Sequence, residues 1–413
     1  YDIRYPGHER LAGRPLRVSS AYSWHQAHGA QFGEKSGWER VNWYDANAPA
    51  GDESMRPRGW AGMHWSPAIG AEHRATRERA GLFDESSFSK LEVAGPGAGE
   101  FLQALCDNDV AREVGAITYT QMLNRRGGIE CDFTVTRVED ELFSIVTGTA
   151  FGNHDLSWIR RHSPADASVR CYDVTARWAC FALWGPRARD ILAPLTDDPL
   201  DFAYMHMREL AVGDVPVRAL RVTFVGELGW ELYCPTEYGA GLWRTLWQAG
   251  REHGLVAGGY RAIDSLRLEK GYRVWAADIT PDETPYEAGL GFCVRRDGGF
   301  VGASALGLGS NAEPGAGDGA GGQRMPAKRL RCLVLADPRS VALGNEPVRI
   351  DGQIAGRVTS GGYGYTVERS IAYAYIPAEI EIGAAVEVDI FGEWVAGVVA
   401  REPLFDPKGE RVR

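Results

Sequence analysis

The chain has 413 residues, 44% hydrophobic and 24% charged, the make-up of an ordinary globular protein with room for two or three domains. A net charge of −10 argues against a nucleic-acid binder, which wants a basic face, and against a protein of anionic membrane surfaces. No apolar run approaches the roughly 18 residues that span a bilayer, and no signal peptide is visible.

Cys106, Cys131, Cys171, Cys180, Cys234, Cys293 and Cys332 are odd in number, scattered, and form no C-x-x-C. Most sit in apolar runs, so they read as reduced core residues of a cytoplasmic protein. The nine histidines show no H-x-x-x-H or H-E-x-x-H spacing, and no metal site is expected. No G-x-S-x-G elbow and no Walker A loop occurs. Thirteen tryptophans and sixteen tyrosines suit wide pockets for flat ligands.

Residues 1–55 read as an extended lead-in, polar and aromatic, broken at Pro6, Gly7, Pro15, Gly33 and Gly37. Residues 56–306 follow as an α+β core. Ser66 to Gly81 predicts a helix closed by a C′ glycine, with Arg74, Arg77 and Arg79 late in it. A strand is expected over Lys90 to Ala94, then an amphipathic helix over Gly97 to Cys106. Tyr119 to Leu123 predicts a strand, and Gly127-Gly128 a hairpin turn that needs positive φ. From Ile129 the pattern alternates: Ile129, Cys131, Phe133 and Val135 on one face, Glu130, Asp132, Thr134 and Thr136 on the other. A strand over Leu142 to Thr147 and a helix around His154 to Arg161 come next.

In Val225 to Leu232, Gly226 and Gly229 mark a tight turn. Trp230 and Leu232 continue one strand face, and Glu231 takes the other. Asp264 to Arg273 predicts a helix carrying Leu266 and Leu268. Residues 307–328, rich in Gly and Ala, read as a flexible linker. Within them Gly317 to Gly322 satisfies G-x-G-x-x-G, but no strand leads into it and no helix follows. Residues 329–413 read as a β-rich C-terminal domain cut by regular Gly, Pro and Asp breaks. Pattern alone leaves Asp132 and Glu231 open. Each is either a solvated residue on the wet face of a hairpin or a carboxylate aimed at a ligand in a cleft.

The run Tyr119 to Val135, with its Gly-Gly turn and Cys131-Asp132 pair, resembles the segment that carries the catalytic aspartate in the aminomethyltransferase (glycine-cleavage T-protein) family. That family has an Asp-Asp or x-Asp pair; here only the second aspartate is kept. Asp84 to Phe88, the Val225 to Leu232 turn and a signature turn expected over Gly356 to Tyr363 match further motifs in order. Tyr5 to Arg10 and Phe32 to Arg40 resemble the segment preceding the folate-binding part of the dimethylglycine and sarcosine dehydrogenases and dimethylglycine oxidase.

The resemblance implies an α+β, three-module, clover-like fold with a C-terminal β-barrel, and tetrahydrofolate as cofactor. It implies Asp132 as the catalytic residue and Tyr119, Glu231, Glu227, Phe88 and Arg261 as cofactor-binding. The glycine-cleavage enzymes carry an arginine directly before the aspartate of the later helix, where this chain has Ile263; Arg261 lies two residues earlier. A 2-amino-4-oxopyrimidine edge offers adjacent N–H donors that a fixed carboxylate such as Glu231 can accept together.

Three functions are then open. One is a one-carbon transferase acting on a small methylated amine or related donor, with a separate flavin oxidase as a conceivable partner. The second is a tetrahydrofolate-dependent demethylase moving an intact methyl group. The third is a non-catalytic folate-binding subunit, which the retention of Asp132 opposes.

Overall fold

The computed structural model describes residues 5–308 and 326–412. Two sheets and a barrel, joined by helices, make three modules. A six-stranded sheet runs in spatial order Met207–Val212, Val215–Leu220, Gly229–Pro235, Trp178–Trp184, Gly81–Asp84, Val256–Gly258. Only the last pairing in it is parallel. An antiparallel five-stranded sheet runs Ile117–Leu123, Ile129–Glu139, Leu142–Thr147, Ser89–Ala94, Arg170–Asp173. Lys328 to Ala400 supplies a closed six-stranded barrel, which leaves no open edge. The expected α+β class with a C-terminal barrel is what is found.

Each sheet buries one face against helices. Trp230, Leu232 and Cys234 pack with Leu242, Trp243 and Leu246 of the helix Thr236–Gly250. Cys131, Phe133 and Val135 pack with Leu102, Leu105, Leu156 and Ile159 from the helices Ala98–Leu105 and Gly152–His162. The opposite faces meet each other. Ile117 and Val138 of one sheet form a cluster with Cys180, Leu220 and Tyr233 of the other. The two faces that carry Asp132 and Glu231 are therefore turned inward, toward a common interior.

The helix Tyr260–Lys270 joins the six-stranded sheet to the barrel. Its Leu266 packs on Phe83, Ala182 and Trp184 of the six-stranded sheet, while Leu268 packs on Cys332, Ile371 and Tyr373 of the barrel. It ends at Gly271, whose φ of +67° is the left-handed cap that glycine favours. A buried ion cluster fixes the junction. Arg77 donates to Glu227 and Glu269, at 3.0 Å each, and to the carbonyls of Val225 and Leu266. Arg411 closes over both oxygens of Glu227, and Glu269 also accepts the Thr366 and Val367 N–H groups of the barrel.

Several sequence expectations shift. The helix over Pro67–Glu78 starts where Ser66 accepts from the Ala68 N–H, with proline at its first position. It stops before Gly81, which is not its cap. Gly81 opens a strand, and a Cβ there would lie 2.4 Å from Thr76 Oγ1. The lead-in is more ordered than an extended segment: it holds a helix, Tyr22–Ala27, and a hairpin, Ala30–Lys35 with Trp38–Tyr44. Ser36 and Gly37, both at positive φ, form its turn. Gly356 to Tyr363 lies inside the strand Gln353–Gly364 rather than at a turn. The later helix begins four residues before Asp264, at Tyr260. The linker expected at 307–328 falls mainly on 309–325, outside the described residues. The seven cysteines are free, and all but the half-buried Cys171 are buried.

Glu72 pins the lead-in to the core. Its Oε1 accepts the Tyr44 N–H at 2.7 Å and the Asn47 amide at 2.9 Å, and its Oε2 accepts the Gly259 N–H at 2.9 Å. Glu72→Ala orphans three donors at one buried point and is expected to cost roughly 3 kcal/mol of unfolding free energy. Urea titration checks this, and a loss below roughly 1 kcal/mol would remove Glu72 as the pin.

Candidate active site

The Asp132 hairpin is built by its turn. Asn124 Oδ1 accepts the N–H groups of Arg126 and Gly128, and Gly127 sits at φ +84°. Gly128 serves another need: a Cβ on it would lie 1.9 Å from the Pro281 carbonyl oxygen. The predicted alternation holds along Ile129–Glu139, with Cys131, Phe133 and Val135 buried and Asp132 half-buried on the other face.

Strand register fills in that face. Gln121 pairs directly with Asp132, and Tyr119 with Thr134, so all four share one side. Thr134 pairs with Val146, which pairs with Lys90, so Lys90 belongs to the same face two strands on. Asp132 Oδ1 is buried without a hydrogen-bond partner among the described residues, as are both amide atoms of Gln121. Buried polar atoms are nearly always paired, and three orphans directly across one strand pair mark a place where something else supplies the partners. Burial pushes the Asp132 carboxyl up to about 7; the charges of Asp155 and Asp107 add to this, while Tyr119 and Gln121 favour its ionised form. Asp107 is itself pushed to about 7 by burial.

Glu231 lies on the facing sheet. It is half-buried, and its Oε2 accepts from the Tyr233 hydroxyl at 2.6 Å. Burial raises its carboxyl to about 7, against the Tyr233 hydrogen bond and the Lys90 charge. Lys90 is fully buried, donates to the Ser86 carbonyl at 2.7 Å, and is lowered to about 8 by burial. Phe88 sits at the same end, its ring edge-on to Tyr260 at 6.3 Å. Arg261 stands in the first turn of the following helix with its Nε buried and unpaired.

Glu227 is placed differently from the other candidates. It is 1% exposed, and its carboxylate is held by Arg77 and Arg411. The resemblance assigned it to the cofactor; the structure gives it to the ion cluster.

Gln121, Lys90, Tyr233 and Glu85 were not singled out from the sequence. Period-two spacing would have found the first and third, since Gln121 follows Tyr119 and Tyr233 follows Glu231 on the same faces. Linear spacing also missed two groups of potential metal ligands with atoms within 4.8 Å: Cys131, His154 and Asp155, and Glu85, Cys180 and Glu231. In the first group Asp155 is already bonded to Thr147 at 2.7 Å and to His154 at 2.9 Å.

A three-module protein with inward carboxylates on two facing sheets is the architecture of the aminomethyltransferases. Residues 21–298 match the GCVT N-terminal domain and residues 328–406 the glycine cleavage T-protein C-terminal barrel domain, so the chain belongs to that family. It is 37% identical over 421 residues to 4-methylaminobutanoate oxidase (formaldehyde-forming) of Paenarthrobacter nicotinovorans, covering all of this chain and 49% of that protein. It is 33% identical over 423 residues to mitochondrial dimethylglycine dehydrogenase of Rattus norvegicus, covering all of this chain and 47% of that one. The chain thus spans about half the length of these curated relatives. The crystal structure of aminomethyltransferase T from Bartonella henselae superposes with a TM-score of 0.79 at 26% identity, covering 95% of this chain and 99% of that one. No described helix is long and apolar enough to cross a membrane.

The Tyr233 hydroxyl stabilises the charged form of Glu231, so Tyr233→Phe is expected to move the Glu231 titration above about 7. Carbon-13 NMR of the labelled carboxyl reads this. An unmoved midpoint would mean that the hydroxyl does not set the carboxylate.

Proposed function

We propose that the chain binds tetrahydrofolate between its two sheets and transfers to it a one-carbon unit from a small methylated amine or an oxidation product of one. The observation that carries this reading is the Asp132–Gln121 pair, orphaned and directly across the strands on an inward face. The residues present fit such a cofactor. Glu231, oriented by Tyr233, is a fixed acceptor for adjacent N–H donors, and Phe88 and Tyr119 supply aromatic walls. Tetrahydrofolate supplies an arylamine nitrogen that accepts the one-carbon unit.

The work of the protein is proton management at Asp132. An arylamine is a weak nucleophile, and a carboxylate within reach can orient its N–H, offset positive charge on the nitrogen and take up its proton. A carboxyl near 7 is poised for this at neutral pH. Tyr119 and Gln121 flank it from the neighbouring strand, and the acidic surroundings keep it ready to accept a proton. Cys131, facing the core, takes no part. We propose a separate flavin oxidase as the source of the donor in activated form, in keeping with the oxidase and dehydrogenase activities that name the relatives, and the cytoplasm as the location.

Calorimetric titration with tetrahydrofolate tests the ligand. Binding in the parent and about tenfold or greater weakening in Glu231→Gln are expected; silence of both at high micromolar ligand ends the reading. Asp132→Asn should bind nearly as well and lose about 10²-fold in turnover. The parent rate should rise with pH through about 7 while that of Asp132→Asn stays flat.

Stability runs the other way. Folding raises this carboxyl from an ordinary 3.8, so its share of stability is present at low pH and lost as pH rises through about 7. At pH 8 Asp132→Asn is expected to melt above the parent. Parent-like turnover in the variant would return Asp132 to a plain strand residue.

A further inference from the structure

Glu85 has no place in the mechanism above, yet it is the least explained group in the interior. It is 0% exposed, and neither carboxyl oxygen has a hydrogen-bond partner among the described residues. Its backbone is held, with the N–H on the Cys180 carbonyl at 2.9 Å, so the side chain's position is set by the fold. One of its oxygens, one of Glu231's and the Cys180 sulfur all lie within 4.8 Å of one another. The charged groups around it are Glu231, Lys90, Arg40 and Asp84. Lys90 gives its one side-chain hydrogen bond among the described residues to the Ser86 carbonyl, and the Arg40 guanidinium lies 3.3 Å over the Tyr260 ring. Neither donates to Glu85.

An ionised carboxylate without hydrogen bonds in such a place is too costly to persist. Two buried carboxyls this close do not both ionise, so the pair keeps one proton. Tyr233 already donates to Glu231 and so fixes which member is the carboxylate. Glu85 is then a neutral acid with one O–H and no acceptor. The pair offers a ligand an acceptor from Glu231 and a donor from Glu85, side by side. That is the complement of a heterocyclic amide edge, in which ring N–H and amino donors adjoin a carbonyl oxygen or a bare ring nitrogen.

We propose that Glu85 is a ligand-facing carboxylic acid, donating to an acceptor atom of the bound amino-oxo-pyrimidine ring while Glu231 accepts from its N–H groups; this rests on the folate reading. Glu85 would then be a specificity residue for the ring rather than a participant in one-carbon transfer.

Tetrahydrofolate binding to the whole chain, by calorimetry, should weaken about tenfold or more in Glu85→Leu and stay within about threefold in Glu85→Gln, whose amide still donates. Leucine relieves a buried polar orphan, so that variant is expected to fold, and its melting curve checks this. A packing role would not give the infrared signature: a carboxylic-acid carbonyl band in the free protein that shifts when tetrahydrofolate is added and is missing from Glu85→Gln. If the parent binds and Glu85→Leu matches it, or Glu85→Gln is as weak as Glu85→Leu, the inference falls and the folate reading stands. If the parent does not bind, both fall. Stoichiometric zinc retained by the parent and lost in Glu85→Gln would make the trio a cation site and overturn the inference as well.

Discussion

Arg77 is the fixed point on which the junction of the six-stranded sheet and the barrel depends. Its guanidinium, 4% exposed, meets a carboxylate from the loop before the Glu231 strand, a carboxylate from the helix that carries the barrel, and two main-chain carbonyls. Burying three charged groups is expensive, and the return comes only because nearly every donor and acceptor is engaged. Such a cluster tolerates one arrangement of its neighbours and penalises the rest. It holds the Val225–Gly226–Glu227 turn, and so the entry of the Glu231 strand, against a helix that also touches the barrel. The position of Glu231 is thereby fixed from outside the pocket.

Burial raises most acids of the interior. In the frame it takes Glu72 to about 8 and raises Glu227 despite Arg77 and Arg411, while Glu269 is held low, to about 2, by His73, Arg77 and backbone N–H groups that outweigh its burial. In the pocket Asp132, Asp107 and Glu231 stand near 7 and Glu85 is raised well above the usual carboxylate range, because burial outweighs what few donors they have. The frame acids are engaged by several donors, whereas Asp132 and Glu85 keep orphaned oxygens. Frame residues lose function by unfolding, whereas cavity residues should lose it with the fold intact. Lys90, the buried cation of the cavity, is committed to a carbonyl, so it tempers the acids without neutralising any one of them.

Local rules made much of this legible in the sequence. Period-two alternation placed Asp132 and Glu231 on the faces they occupy, because a strand leaves a side chain only two choices. The Leu142–Thr147 strand falls where expected, and the neighbouring helices within a residue or two. What stayed hidden was long-range. Glu227 sits in the same motif as Glu231, and only Arg77 and Arg411, 150 and 184 residues away, decide that it is structural. The order in the lead-in comes from Glu72 binding Tyr44 and Asn47, a contact that no local pattern announces. Gly81 resembled a helix cap because a glycine that admits a neighbouring side chain looks the same as one that admits a positive φ.

From Cys131 to Val135 the strand Ile129–Glu139 alternates between a packed interior and a pocket; at Glu130 its register slips by one residue against Met122 and Leu123, and its tip at Gly128 is wedged against the Pro281 carbonyl. From Cys131 to Val135 each residue opposes one partner, Met122 back to Thr118, on the neighbouring strand. One inserted position would turn Asp132 into the hydrophobic layer and bring an apolar neighbour to the pocket, losing site and core together. A one-residue insertion there keeps the site only if the strand absorbs it as a bulge, as it already does at Glu130.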